Sequence, residues 1–228
     1  MIPEQLAARI DHTLLKPEAT AADVRRLCAE AAENGFATVC VNPTYVKLAA
    51  GLLASSRVRV CSVVGFPLGA HLIPLKAAES LWAIRQGARE IDMVINIGAL
   101  RGGDPDTVAR DIQAVVATCR RADALCKVII ETALLNEDEK ATACRLAVEA
   151  GAHFVKTSTG FASGGATFED VWLMHCIVRP AGVQVKASGG IQTLADARRM
   201  LSAGATRIGT SSGMRILEEA RREAAARR

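Results

Sequence analysis

Eight times along the 228 residues, a short apolar run rich in β-branched side chains leads through a loop into a helical stretch, and then the pattern begins again. The runs fall at Asp11 to Leu15, Ala37 to Val41, Arg59 to Val64, Glu90 to Ile95, Lys127 to Glu131, His153 to Lys156, Val183 to Lys186 and Arg207 to Gly209. Strands that alternate with helices must run parallel, because each helix carries the chain back to the same sheet edge. Strands such as VCSVV and IDMVINI, apolar on both faces, are those of a sheet covered by helices. Eight such units predict closure into a (β/α)8 barrel. A doubly wound open sheet is the rival, and the regularity of the units and the lack of a GxGxxG turn argue against it.

Helices are expected over 3–9, 20–34, 43–55, 72–87, 104–122, 136–150, 167–179, 192–203 and 213–226. Four end at a glycine step (NG at 34–35, QGA at 86–88, EAGA at 149–152, SAGA at 202–205), and Asp104, Asn136 and Thr167 stand where N-caps belong. No Pro/Gly/Ser-rich linker interrupts the series, so residues 1–228 read as one catalytic domain. The charge is mixed in sign at a net +4, and five Phe, two Trp and one Tyr offer little to stack on bases, so a nucleic-acid role is not expected. No apolar run has the length of a membrane span or of a signal-peptide core, which predicts a soluble, cytoplasmic protein. The seven cysteines (28, 40, 61, 119, 126, 144 and 176) are odd in number and lack a CxxC pair, and the histidines at 12, 71, 153 and 175 show no ligand spacing. Neither a disulfide framework nor a metal site is indicated, and Cys40 and Cys61 read as core residues. The charged stretch Arg215 to Arg228 reads as the last helix with a frayed tip.

The residues that can carry chemistry sit at the ends of strands. In HFVKTSTGF, Lys156 closes a short strand and enters a Ser/Thr/Gly loop; VQVKASGGI repeats the design thirty residues on with Lys186. A lysine is a nucleophile only when neutral, and a second cation nearby disfavours its ammonium form: two unit charges about 5 Å apart at an effective dielectric of about 20 repel by roughly 3 kcal/mol. That is the logic of a Schiff-base site. If Lys156 points into the barrel, Phe154 and Ser158 do too, while Val155 faces the helices. Asp92, two residues into an otherwise apolar strand, needs a cationic partner if it is inside, and an inward lysine is the natural one; a structural ion pair is the plainer reading of the same pattern. The seventh and eighth loops, ASGGI and GTSSG, run into helices with glycines and hydroxyls at the turn, a combination that can cradle a phosphate at the two barrel positions where phosphates usually bind. The sixth loop, STGFASGGAT, offers further donors.

Eight segments in order, IDHTLLKPEAT, GFATVCVNP, GFPLGA, EIDMVINIGAL, KVIIET, FVKTSTGF, VKASGGI and GATRIGTSSG, closely resemble the successive signatures of the 2-deoxyribose-5-phosphate aldolases. The resemblance implies a class I aldolase on a (β/α)8 fold, with no metal and no organic cofactor. It would cleave 2-deoxy-D-ribose 5-phosphate reversibly to D-glyceraldehyde 3-phosphate and acetaldehyde in deoxyribonucleotide catabolism. It implies that Lys156 forms the Schiff base, that Asp92 and Lys186 relay protons, and that Gly189, Gly190, Ser211 and Ser212 contact the phosphate. A homo-oligomer is left open. Two departures stand out. HLIPLKAAES (71–80) replaces a Thr-rich segment, with Pro74 placed to shorten the third helix of the repeat, and the sole tyrosine is Tyr45, whereas many members end in a tyrosine thought to assist proton transfer. Two other readings stay open on the sequence alone: a transaldolase-like or keto-sugar aldolase using the same lysine chemistry, and a phosphate-binding barrel that has lost catalysis.

Overall fold

The computed structural model describes residues 1–226. A short helix α1 (Pro3–Ala7) precedes eight strands: β1 (Ile10–Leu14), β2 (Thr38–Val41), β3 (Arg59–Val64), β4 (Glu90–Val94), β5 (Leu125–Ile129), β6 (Phe154–Lys156), β7 (Gln184–Ser188) and β8 (Arg207–Thr210). They pair in parallel and in sequence order, and β1 closes on β8 with Asp11 opposite Gly209. An open sheet would leave these two strands as edges; here their backbone groups satisfy one another.

The outer ring consists of α2 (Ala21–Asn34), α3 (Val46–Leu52), α4 (Ile73–Arg85), α5 (Ile97–Arg101), α6 (Pro105–Arg121), α7 (Glu137–Ala150), α8 (Phe168–Val178), α9 (Leu194–Ser202) and α10 (Gly213–Ala226). The anticipated caps form: Asp104, Asn136 and Thr167 accept the backbone N–H three residues on at 2.9, 2.9 and 3.1 Å, each worth about 1 kcal/mol. Gly35 and Gly151 end α2 and α7 in the left-handed conformation.

Several boundaries differ from expectation. The stretch 43–55 splits into a 3-10 turn at Pro43–Tyr45 and the shorter α3, and α5 is an extra turn between β4 and α6. Pro74 does not shorten α4. It lies in the first turn, where a helix needs no amide hydrogen. The strand expected from Lys127 lies two residues earlier, which moves Lys127 from its first position to its middle. Of the charged C-terminal stretch, Arg227 and Arg228 lie outside the described residues.

Two layers of core follow from strand alternation. Outward residues such as Val155, Val185 and Ile208 pack with the helices in one continuous apolar cluster. Inside, the barrel is divided. On the β1–β3 side Leu15, Cys40, Cys61 and Val63 form a small apolar cluster, while the β4–β8 side, joined by Asp11 of β1, carries Glu90, Asp92, Lys127, Lys156, Lys186 and Arg207. Phe154 also faces inward, as the inward parity of Lys156 requires, its ring under Arg207 and Lys127 at 5.3 and 6.0 Å.

Candidate active site

Asp92 is fully buried and is the centre of the charged half. Its Oδ2 accepts from Lys156 Nζ at 2.8 Å and from Lys186 Nζ at 2.7 Å, and its Oδ1 accepts from Lys127 Nζ at 2.7 Å and from the Cys61 thiol at 3.1 Å. The strand register explains the convergence. Asp92 pairs with Lys127 across β4 and β5, and Lys156 with Lys186 across β6 and β7, while Lys127 pairs with Phe154 across β5 and β6, so Lys156 and Lys186 stand one inward step nearer the mouth than Lys127 and their long side chains reach back to the same carboxylate. Room for the Lys186 side chain is made on β8, one inward step beyond its register partner: a β-carbon at Gly209 would stand 2.8 Å from the Lys186 Cε.

Below this level the charges continue. Asp11 lies 2.5 Å from Lys186 and 2.6 Å from Arg207, and Glu90 bonds Lys127 at 2.6 Å and Arg207 at 3.1 Å. Burial alone would push the carboxyl of Asp92 up, but Lys127, Lys156 and Lys186 together hold it well below the usual range; for Asp11, Lys186, Lys127 and Arg207 have the same effect. Burial would likewise strip the proton from Lys186 and Lys127. The carboxylates outweigh it, and both ammonium groups are held above their ordinary range. Cys40, Cys61 and Asp92 could in principle share a metal ion, their ligand atoms lying within 4.8 Å of one another, but both Asp92 oxygens are already engaged by lysines, and burial holds the Cys61 thiol in its protonated form.

Lys156 opens onto a cavity of about 350 Å³ at the C-terminal mouth of the barrel, which Asp92, Lys127 and Lys186 do not line. Gly189, Gly190 and Ser211 line the same cavity. Both glycines have left-handed backbones, with φ of 87° and 77°, which other residues adopt only at a cost. Phe161 and Phe66 meet edge to face at 5.2 Å, tying the sixth loop to the third. Ser212 is set apart. It lines an adjoining hollow of about 630 Å³, and its N–H is donated to Thr210 Oγ1 at 2.9 Å. The helix after the seventh loop also contributes less than its sequence promised, because the Asp196 carboxylate already accepts the N–H groups of Gln192 and Thr193. By contrast α10 begins directly behind Ser211 and Ser212 with no acid in its first turn.

A family model described as DeoC/LacD family aldolase matches residues 6–219. The chain belongs to that family. Deoxyribose-phosphate aldolases of Geobacillus sp. (strain WCH70) and Halalkalibacterium halodurans are 58% and 57% identical to it, over 93% and 96% of this chain and 95% and 97% of theirs. Among solved structures, the tetrameric deoxyribose phosphate aldolase from Aeropyrum pernix superposes with a TM-score of 0.89 at 38% identity, covering 95% of this chain and 91% of that one.

In this DeoC/LacD aldolase the sequence reading brought Asp92, Lys156 and Lys186 together, and it missed what supports them. Lys127 escaped notice because it was read as the start of a strand, where a lysine is ordinarily solvated. Asp11 and Arg207 are single charges at strand starts and carried no signal. Glu131 sits with φ of 57° at the end of the fifth unit, and its carboxylate accepts the Thr159 N–H at 3.2 Å and the Thr159 hydroxyl. A non-glycine residue in that conformation is held there by such contacts, and this one fixes the loop that follows Lys156. The sixth loop gives one of its amides to structure: Ala166 N–H donates to the carbonyls of Ser188 and Gly189.

Proposed function

We propose that residues 1–228 act as one catalytic domain that cleaves 2-deoxy-D-ribose 5-phosphate to acetaldehyde and D-glyceraldehyde 3-phosphate, and joins them in reverse, with Lys156 as the Schiff-base nucleophile. The observation that carries the assignment is access: three lysines bond Asp92, and only Lys156 lines the cavity. Charge supports it too. Asp11, Glu90 and Asp92 face Lys127, Lys156, Lys186 and Arg207, three carboxylates against four basic side chains, and of these four the one that can meet substrate is Lys156.

The neutral Lys156 amine attacks the C1 aldehyde, and loss of water gives an iminium that draws electrons from the adjacent carbon. Acetaldehyde carries away two carbons, so the bond that breaks is C2–C3. The proton of the C3 hydroxyl passes through a water to Asp92, which with Lys186 lies behind Lys156, as that bond breaks, and C3 leaves as the aldehyde of glyceraldehyde 3-phosphate. Lys186, fixed in its charged form by Asp11 and Asp92, offers a proton back through the same carboxylate. The enamine is protonated at C2, and water hydrolyses the resulting imine to release acetaldehyde and restore Lys156. Gly189, Gly190 and Ser211 receive the phosphate, with Ser212 completing the turn from which α10 starts.

We further propose a cytoplasmic homo-oligomer. The tetramer of the Aeropyrum pernix relative supports the assembly, and no helix among the described residues is long and apolar enough to cross a membrane. The chemical assignment is tested by borohydride in the presence of acetaldehyde. One reduced imine per chain, mapped to Lys156, is expected; a label on Lys186, or none, would overturn this division of roles.

A further inference from the structure

We infer that Lys16 is the cation that holds the substrate's phosphate and sets the preference of this site for phosphorylated over unphosphorylated sugars, an inference that rests on the proposed reaction. The cavity in front of Lys156 contains no carboxylate among its lining residues, and its only cationic side chains are Lys156 and Lys16. Lys156 is committed to C1. The phosphate sits at the other end of a five-carbon chain, on a cradle whose other donors, Gly189, Gly190 and Ser211, are neutral. A dianion on neutral donors alone keeps its charge uncompensated, so the second lysine is the one group in the lining able to meet it.

The local structure suits Lys16 to that task. Its backbone is pinned: the Leu15 carbonyl accepts from Asn42 Nδ2 at 3.2 Å, the Lys16 carbonyl accepts from Ala19 N at 3.1 Å, and Pro17 follows. Its side chain is exposed, with no hydrogen-bond or ion-pair partner among the described residues. The neighbouring cations are otherwise engaged. Arg26 is paired with Asp23 at 2.7 Å and Arg215 with Glu219 at 3.0 Å. Lys16, Thr13, Leu14 and Ser211 line both the cavity of Lys156 and the adjoining hollow that holds Ser212, so Lys16 stands at the divide between the two.

The experiment compares wild type, Lys16→Met and Lys16→Arg on 2-deoxyribose 5-phosphate and on 2-deoxyribose, together with direct titration of inorganic phosphate into each protein. For Lys16→Met the expected result is a KM for the phosphorylated sugar raised about 10-fold with kcat within about twofold, a fall of about 10-fold in the phosphorylated-to-unphosphorylated ratio of kcat/KM, and a similar weakening of phosphate binding. Lys16→Arg should recover most of each. A loss shared equally by the two sugars would make Lys16 a structural residue of its loop and overturn the inference, as would an unchanged ratio. The two readings fail separately. A wild type that cleaves neither sugar sinks the proposed reaction, while its phosphate titration still decides whether Lys16 holds the anion.

Discussion

Lys76 and Lys156 are both buried lysines bonded to an aspartate, at 2.5 Å to Asp111 and 2.8 Å to Asp92, yet their surroundings give them opposite uses. Lys76 lies between α4 and the barrel wall with a single carboxylate and the Val94 carbonyl as partners, and Asp111 also accepts the Asn96 N–H. There burial is the larger influence on both members: it pushes the Lys76 ammonium down and the Asp111 carboxyl up, each towards its neutral form. Inside the barrel the same penalty is overcome because each ion has several partners of opposite sign. A one-to-one pair in an apolar wall is a bolt joining two helices. A cluster with one cation to spare, and a cavity over one of its lysines, is a site for chemistry. Burial and an ion pair therefore do not mark a catalytic lysine; surplus charge and access do.

The largest effect expected of this contrast is at Lys156. Lys156→Leu should lower turnover by about 10⁴-fold or more and abolish borohydride trapping at every pH. Lys186→Leu should still trap acetaldehyde while turnover near pH 7.5 falls at least about 100-fold, since a proton carrier is lost and the nucleophile is kept. If both variants lose trapping together, Lys186 is needed for imine formation itself and the division of roles fails.

At Lys76 the loss should appear in stability. Lys76→Met leaves Asp111 buried without its counter-ion and should cost about 3–5 kcal/mol, whereas Lys76→Met combined with Asp111→Leu should recover most of it. Activity per folded molecule should stay within about threefold in both, measured alongside thermal unfolding. A hundredfold drop in kcat in the double variant would show that this pair serves the reaction after all.

The smallest effect is in the acid limb of stability. The carboxyl of Asp11 is held below its unfolded value of about 3.9, so its contribution is present above that pH and is lost as the pH falls towards the lower folded value. Asp111 has the opposite sign: its folded carboxyl is raised, so protonation favours the folded state as the pH drops. Denaturant midpoints measured from pH 6 to 3 should fall steeply in wild type and less steeply in Asp11→Asn, with Asp111→Asn steeper than either. Parallel curves for the three proteins would remove the distinction between the two clusters.

Much of this was legible in the chain itself. Strand–helix alternation, its eight repeats and the apolar faces of the strands are local properties, and they determined a parallel barrel with Lys156, Asp92 and Lys186 inside it, since inward and outward alternate with a period of two. The Asp104, Asn136 and Thr167 caps and the glycine stops were equally local. What only the tertiary structure decided is which inward groups meet. That depends on the stagger of strands around the barrel, where a two-residue displacement of β5 brings Lys127 level with Asp92. It depends also on distant segments closing over one another, which set Lys76 of α4 against Asp111 of α6 and buried both. Charge–charge distances across a closed barrel are set by its radius and shear, and no run of neighbouring residues encodes them.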